Sequence, residues 1–121
     1  MASYRVVTVH NETRGTVIAN DCLVAGSLWR KTLGLHLLPK LRPGAGLLLP
    51  GVTTIDTIFM RYPIDLVFMD RSCRVTRVVH AMKPWRMVLG GGGGHDCLEL
   101  PAGTAAASGT QTGDQLLQRP R

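Results

Sequence analysis

The chain has 121 residues, of which 45% are apolar and 18% are charged, and its formal net charge is +6. This composition is typical of a folded protein and excludes an intrinsically disordered one, so we expect a single domain over 1–121, with a core from about 4 to 118 and a frayed tail at 119–121. No apolar run approaches the roughly 18 residues of a membrane helix, and three cysteines without CxxC spacing exclude a disulfide scaffold and favour free thiols in a reducing compartment.

The N-terminal half predicts short strands separated by turns. Strands are expected at 4–9, 17–19 and 47–49, where β-branched residues or leucines lie between Asn, Gly and Pro turn residues. A short helix is expected over 27–33, with Ser27 as its N-cap and a glycine at its end. Because the first strand begins near the N-terminus, in place of a long apolar signal segment, the cytoplasm is the expected compartment.

The C-terminal half continues the strand pattern and adds a second short helix. Strands are predicted at 53–60, 64–69, 74–80, 97–100 and 115–118, and residues 85–89 are expected to return to the sheet. The helix is expected to have Thr104 as its N-cap and to end at Gly109. Together the elements predict a mainly β (α+β) fold: a compact, mostly antiparallel, partly closed barrel-like sheet with one or two short helices.

The strand at 64–69 is the most informative of these elements. Apart from Asp65 it is entirely apolar, which is typical of a strand buried on both faces. A carboxylate at the start of such a strand needs a partner, and Arg61 lies just before the Tyr62-Pro63 joint. Two interpretations stay open at this point: a structural ion pair that closes the sheet around Pro63, or one wall of a binding site.

Three motifs, taken together and in order, resemble one known family. They are 59–70 with its Arg-Tyr-Pro-Ile-Asp segment, 74–79 followed by 83–86, and 98–105 followed by Gly109, Gly113 and Asp114. The set is similar to the bacterial and archaeal domain-of-unknown-function family number 192, and the likeness covers about residues 5–118. The resemblance implies a small β-rich domain and assigns no activity.

Two positions depart from the family pattern. Relatives usually carry Asp-Gly or Asn-Gly at the hairpin after the Pro-Ile-Asp strand, where this chain has Ser72-Cys73. A left-handed Cys73 would cost about 1 kcal/mol, so we expect a different turn type. Many relatives carry a His just before the position of Thr57, where this chain has Asp56, and no role that rests on that His is implied here.

The candidate ligand-binding residues are Arg61, Asp65, Lys83, Trp85 and Arg86. In the functional interpretation, Arg61 and Arg86 bind an anionic ligand, Asp65 orients them, and Trp85 stacks on the ligand or on an arginine. In the structural interpretation, Arg61 and Asp65 form a buried ion pair and Trp85 plugs the end of the core. We expect a non-catalytic binding module for a small anionic ligand or a partner segment. The alternatives are a hydrolase-like enzyme with Asp65 as general base and a basic nucleic-acid-binding module.

Two further segments carry weak signals for chemistry. His95 and Cys97 are spaced to share one face of a strand, but no zinc spacing accompanies them and no third group identifies a nucleophilic pair. The glycine run 90–94 lacks the Lys and Ser/Thr of a phosphate-binding loop and is predicted to be a flexible connection. The sequence therefore indicates no metal and no cofactor, leaves the catalytic residues unknown, and favours a non-enzymatic role without deciding it.

Arg71, Arg74 and Arg77 surround a predicted hairpin and present the densest basic run. Such a run is more typical of a solubilising edge that discourages strand pairing than of a nucleic-acid contact. The aromatic content of 5% is also low for a surface that stacks on bases, so nucleic acid is a disfavoured partner.

Overall fold

The computed structural model describes residues 5–25, 40–57, 60–90 and 92–121, and strands dominate this part of the chain. The strands are β1 (Arg5–Asn11), β2 (Thr16–Val24), β3 (Ala45–Leu49), β4 (Thr54–Asp56), β5 (Ile64–Met69), β6 (Val75–Met82), β7 (Met87–Leu89), β8 (Asp96–Pro101) and β9 (Leu116–Pro120), and the helix is α1 (Thr104–Ala107). The helix predicted over 27–33 lies outside the described residues. Within them, no helix is long and apolar enough to cross a membrane.

Seven strands form one curled sheet in the order β6-β5-β8-β3-β2-β1-β9. Every neighbouring pair is antiparallel except β2 and β3, which run parallel. The two outer strands approach each other at one end, where Arg74 bridges Gln115 and the Leu116 N–H donates to the Cys73 carbonyl. The structure confirms the predicted mainly β fold, a mostly antiparallel and partly closed barrel-like sheet with a short helix.

The sheet is apolar on both faces where β3, β5 and β8 lie. The inner core fills the curl and includes Val67 and Met69 of β5 with Ala105 of the helix. The outer core includes Leu66 and Phe68, the alternate residues of β5. A separate two-stranded ribbon of β4 and β7 covers this outer face with two inward side chains, Ile55 and Val88. Because side chains alternate along a strand, a strand between two cores is apolar on both faces, as the sequence predicted for 64–69 apart from Asp65.

Local details differ from the sequence predictions at several places. The strand expected at 53–60 ends at Asp56, and residues 85–89 supply β7 of the separate ribbon and do not return to the main sheet. The helix N-cap is Gly103, with φ +96, and Thr104 is the first helical residue, so the predicted cap is wrong. Residues 119–121 do not fray: Pro120 pairs with Val7, and the Arg121 guanidinium donates to Asp21 at 2.6 Å. The last strand therefore extends beyond the predicted end at 118.

The hairpin between β5 and β6 keeps a left-handed residue in place of the expected change of turn. Cys73 has φ +63, although it is not glycine. The Asp70 carboxylate supports the loop by accepting the N–H groups of Ser72 at 2.8 Å and Arg74 at 3.0 Å. An aspartate that binds the backbone two residues ahead is a common turn device, and here it offsets part of the cost of the strained residue.

Candidate functional site

Asp65 is completely buried, and its carboxylate is held by backbone amides. Oδ1 accepts the Ala81 N–H at 2.7 Å, while Oδ2 accepts the N–H groups of Gly103 at 3.1 Å and Ala105 at 2.9 Å. Three such hydrogen bonds offset the desolvation of a buried carboxylate. Asp65 thereby fastens the end of β6 and the start of α1 to β5.

The ion pair between Arg61 and Asp65 that the sequence suggested is not formed among the described residues. Arg61 is exposed, whereas both oxygens of Asp65 bind the backbone. The amides of the neighbouring segments satisfy the carboxylate, so the arginine is not needed for this purpose. Asp65 is likewise sealed from solvent and committed to fixed donors, an arrangement unlike that of a general base that must reach a substrate proton.

Thr57 is the hub that positions the loop from Lys83 to Arg86. Its side chain is buried; the hydroxyl donates to the Lys83 carbonyl at 2.6 Å and accepts the Arg86 N–H at 2.9 Å. Its backbone N–H donates to the Arg86 carbonyl at 2.8 Å, and its carbonyl accepts the N–H groups of Trp85 at 2.9 Å and Met60 at 3.0 Å. The loop and the residue before Arg61 are therefore built onto a single fixed point.

Trp85 lies at the tip of this loop with φ +64 and is 59% exposed, so the prediction that it plugs the end of the core is wrong. Met87 and Leu89 follow at alternate positions and are 68% and 63% exposed. The pattern follows from the strand period, because Val88 faces the outer core and its neighbours must face away. Three large apolar side chains thus line the solvent side of β7 and its entry loop.

Basic groups flank the apolar side chains. The Arg86 guanidinium donates to the Trp85 carbonyl at 3.3 Å, and the Arg77 guanidinium donates to the Leu89 carbonyl at 2.7 Å. Lys83 is exposed at the start of the loop. We call this area the Trp85 surface; it consists of Lys83, Trp85, Arg86, Met87 and Leu89. Three predicted site residues, Lys83, Trp85 and Arg86, therefore lie on this surface. Arg61 follows Met60, whose N–H binds the Thr57 carbonyl, and Asp65 lies in the core.

The described cysteines and histidines do not form a catalytic or metal-binding cluster. Among the described residues, no group of three or more His, Cys, Asp or Glu side chains is placed to bind a metal ion. His95 binds the Asp96 carboxylate at 2.7 Å, and Cys97 is buried in the outer core. Burial raises the pKa of the Cys97 thiol well above its ordinary value and that of Cys22 to about 12, so both stay protonated and are poor nucleophiles.

Glu99 is a buried carboxyl that the sequence interpretation passed over. It lies in the middle of β8, is 5% exposed, and its Oε2 has no hydrogen-bond partner among the described residues. Burial, followed by the charge of Asp56, raises the pKa of Glu99 to about 8. The same signal that marked Asp65, a carboxylate within an apolar strand, was present in Leu98-Glu99-Leu100.

The arginines near the β5–β6 hairpin make separate contacts with the backbone. Arg74 donates to the Gly113 carbonyl at 2.7 Å, whereas Arg77 reaches the ribbon at Leu89. Arg71 is exposed at the hairpin tip. Two of the three basic groups therefore support loops of this chain.

Comparison with known proteins gives a family and a fold. The model of the domain-of-unknown-function family number 192, described as "Uncharacterized ACR", matches residues 8–118. A "UPF0127 protein" from Thermococcus sibiricus is 29% identical over 110 residues, which span 88% of this chain and 71% of the relative.

Two crystal structures share the fold. A protein of unknown function from Novosphingobium aromaticivorans superposes with a TM-score of 0.78 at 23% identity, covering 94% of this chain and 84% of that one. A candidate transcription regulator from Sinorhizobium meliloti superposes with a TM-score of 0.76 at 22% identity, covering 98% of this chain and 97% of that one. At these identities the likeness establishes the architecture alone.

Proposed function

Because the chain belongs to the uncharacterised domain-of-unknown-function family number 192, we propose its role from geometry: a non-catalytic module that binds a small anionic ligand, or an acidic partner segment, at the Trp85 surface. The observation that carries the proposal is the exposed Trp85 in a left-handed backbone conformation. A left-handed non-glycine residue costs about 1 kcal/mol, and leaving an indole in water forgoes roughly 2 kcal/mol of burial. Strain that the surrounding contacts enforce in this way is typical of binding sites.

The charges around Trp85 favour an anionic ligand. Lys83, Arg86 and Arg61 are all exposed and all extend from segments that bind the Thr57 hub. An arginine fork suits a carboxylate or phosphate bidentately, and the adjacent indole offers an apolar face. In this proposal Asp65 supports the loop from behind through Ala81 and touches no ligand.

The geometry supports the two alternatives less well. A hydrolase-like enzyme with Asp65 as general base needs solvent or substrate to reach a carboxylate that is fully buried and bound to three amides. A nucleic-acid module needs a continuous basic face, whereas Arg74 and Arg77 each bind a carbonyl of this chain. We also propose the cytoplasm as the compartment, because Cys22, Cys73 and Cys97 are all free thiols.

The test is a set of two-dimensional amide NMR titrations with citrate, with inorganic pyrophosphate, and with an Asp- and Glu-rich peptide. We expect shifts confined to residues 61 and 83–89 with at least one of these probes. Arg86→Ala and Arg61→Ala should each weaken that binding about tenfold, which corresponds to one lost charge-assisted contact.

Arg119→Ala is the matched control, because Arg119 is an equally exposed arginine on β9. Affinity that is unchanged in the Arg61 and Arg86 variants, or lowered equally in the Arg119 variant, would overturn the proposal. Shifts at 71–77 with a DNA duplex, lost steeply with salt, would instead favour the nucleic-acid alternative.

A further inference from the structure

We propose that Glu99 is the acceptor group of a second site, which binds an organic cation of the ammonium or guanidinium class. The observation behind it is a carboxyl oxygen, Oε2 of Glu99, that is buried and has no hydrogen-bond partner within the part of the chain that the structure describes. A buried polar atom without a partner costs free energy, and a positively charged donor is the group that best satisfies a carboxylate oxygen. This inference is independent of the Trp85 surface and of its anionic ligand.

The two buried carboxyls of the sheet, Asp65 and Glu99, differ in the hydrogen-bond donors that they meet. Asp65 of β5 and Glu99 of β8 lie one step apart on adjacent strands, since Leu66 pairs with Glu99 and Asp65 pairs with Leu100. Because side chains alternate, they point to opposite faces. Asp65 meets three backbone donors on its face, whereas Oε2 of Glu99 meets none on the outer-core face. The described residues therefore satisfy the Asp65 carboxyl and leave Oε2 of Glu99 as the atom that an external donor would satisfy.

The described groups that act on Glu99 are acidic or neutral, although the protein as a whole has a net charge of +6. Asp56 of the ribbon acts on Glu99 and raises its pKa, and Glu99 in turn raises the pKa of the Tyr62 phenol and of the Cys97 thiol, in both cases after the larger effect of burial. When Glu99 ionises, its charge adds to that of Asp56, and two carboxylates at one site attract a cation and repel anions.

The position of Glu99 also suits a small ligand near the surface. Tyr62 is half-buried and packs against the outer core, and Asp56 is exposed at the end of β4. Both are close enough to interact electrostatically with Glu99. Glu99 thus interacts electrostatically with two groups that reach solvent, and the aromatic ring of Tyr62 adds a face suited to a cation.

The experiment follows the titration of the Glu99 carboxyl by NMR, with isotope-labelled glutamate, in methylammonium chloride and in potassium chloride at equal ionic strength. A cation that binds the ionised carboxylate must lower its apparent pKa by linkage. We expect methylammonium at roughly 0.1 M to move the Glu99 titration to a pH about one unit lower than potassium does, a tenfold preference for the ionised form. An identical titration in the two salts, together with no response to the lysine and arginine peptides of the second arm, would overturn the proposal.

Two variants and a control make the result specific. Glu99→Gln should abolish the methylammonium-dependent shifts of neighbouring amides, and Asp56→Asn, which removes the exposed charge acting on Glu99, should weaken them. Glu12→Gln, an exposed carboxylate in the β1–β2 turn, should leave them unchanged. If Glu99→Gln does not fold, the Asp56→Asn result decides, and an undiminished response in that variant would contradict the site.

A second arm distinguishes the source of the cation. The probes are short capped peptides that contain one lysine or one arginine. The lysine side chain carries an ammonium group, as methylammonium does, and the arginine side chain carries a guanidinium group. A response to methylammonium as well as to the peptides assigns a small-molecule ligand. A response to the peptides alone assigns the site to a side chain of a partner protein, and silence of both overturns the proposal.

Discussion

Buried carboxyls dominate the energetics of individual residues in this protein. Asp65 is fully buried yet satisfied, because backbone amides of β6 and α1 converge on it. Glu99 is nearly as buried and keeps one oxygen without a donor. The first carboxyl therefore stabilises the fold, while the second lowers its stability whenever it ionises, and each difference is measurable.

Asp65→Asn should be strongly destabilising. The amide that replaces one carboxylate oxygen presents N–H donors to backbone N–H donors, so at least one buried amide loses its acceptor. We expect a loss of about 3 kcal/mol in the free energy of unfolding, measured by urea denaturation. Asp21→Asn is the control, since Asp21 is exposed and its ion pair with Arg121 is worth less than about 1 kcal/mol. Equal losses in the two variants would contradict the structural role of Asp65.

Glu99 should make the protein less stable as the pH rises. Its pKa is about 8 in the folded protein and 4.5 ordinarily, so between these values the folded state binds more protons than the unfolded state, and stability falls with increasing pH. The total loss is on the order of 5 kcal/mol. Glu99→Gln should remove this slope and exceed the parent in stability near pH 9, as measured by thermal unfolding across the range. A parent protein with flat stability from pH 5 to about 8 would contradict the raised pKa.

Secondary-structure elements here are short, and their placement depends on contacts from elsewhere in the chain. The helix α1 has four residues and no side-chain N-cap hydrogen bond, so it is too short to be stable alone. Its first amides instead bind Asp65 of β5. In the same way, the ribbon strand β7 is oriented by the Thr57 hub and by Val88, which packs on the outer core.

Gly90 tests how closely the ribbon packs on the sheet. A Cβ at this position would lie 2.6 Å from a ring carbon of Phe68 and 3.1 Å from the Thr53 carbonyl oxygen. Gly90→Ala should therefore cost roughly 2 kcal/mol through overpacking, as measured by chemical denaturation. Gly92→Ala is the matched control within the same glycine run, because nothing lies within 4 Å of its Cβ. A difference of less than about 0.5 kcal/mol between the variants would argue against close contact at this seam.

At the scale of the whole molecule, one polar network supports the closure of the curled sheet. Asp114 lies just before β9, and its Oδ2 accepts donors from Asn11 at 2.9 Å, from Arg14 at 3.0 Å and from the Gln111 N–H at 2.9 Å. Its carbonyl accepts the Val75 N–H at the start of β6. One residue thus connects the β1–β2 turn to both outer strands.

Asp114→Asn should weaken this closure. The hydrogen bond from Arg14 has the largest effect and lowers the pKa of Asp114. Burial raises the pKa, and the hydrogen bonds from Asn11 and Gln111 lower it again, so that it is about 2 compared with an ordinary 3.8. The stabilisation is therefore complete above about pH 4 and is lost as the pH falls towards 2. We expect the variant to be less stable by about 3 kcal/mol at neutral pH, with the difference from the parent shrinking in acid. Glu12→Gln, in the same turn, should be neutral, and a deficit independent of pH would contradict the mechanism.

The sequence by itself determined the position of strands that are buried along their whole length. Residues 64–69 lie between two cores, so their apolar character apart from Asp65 predicted a buried strand, and the set of such short strands predicted the partly closed sheet. The family motifs pointed to the same architecture. The sequence also excluded a membrane helix, because no apolar run approaches roughly 18 residues, and a disulfide scaffold, because the three cysteines lack CxxC spacing.

Only the tertiary structure decided the partners of the polar residues. Asp65 binds amides that follow it by 16, 38 and 40 positions, and no local pattern announces such donors. Trp85 is exposed because the buried Thr57 fixes its loop. Oε2 of Glu99 has no donor among the described residues, because the outer core that it faces consists of apolar side chains. Burial on a given face follows from the period of the strand, whereas hydrogen-bond partners depend on how distant segments meet in space.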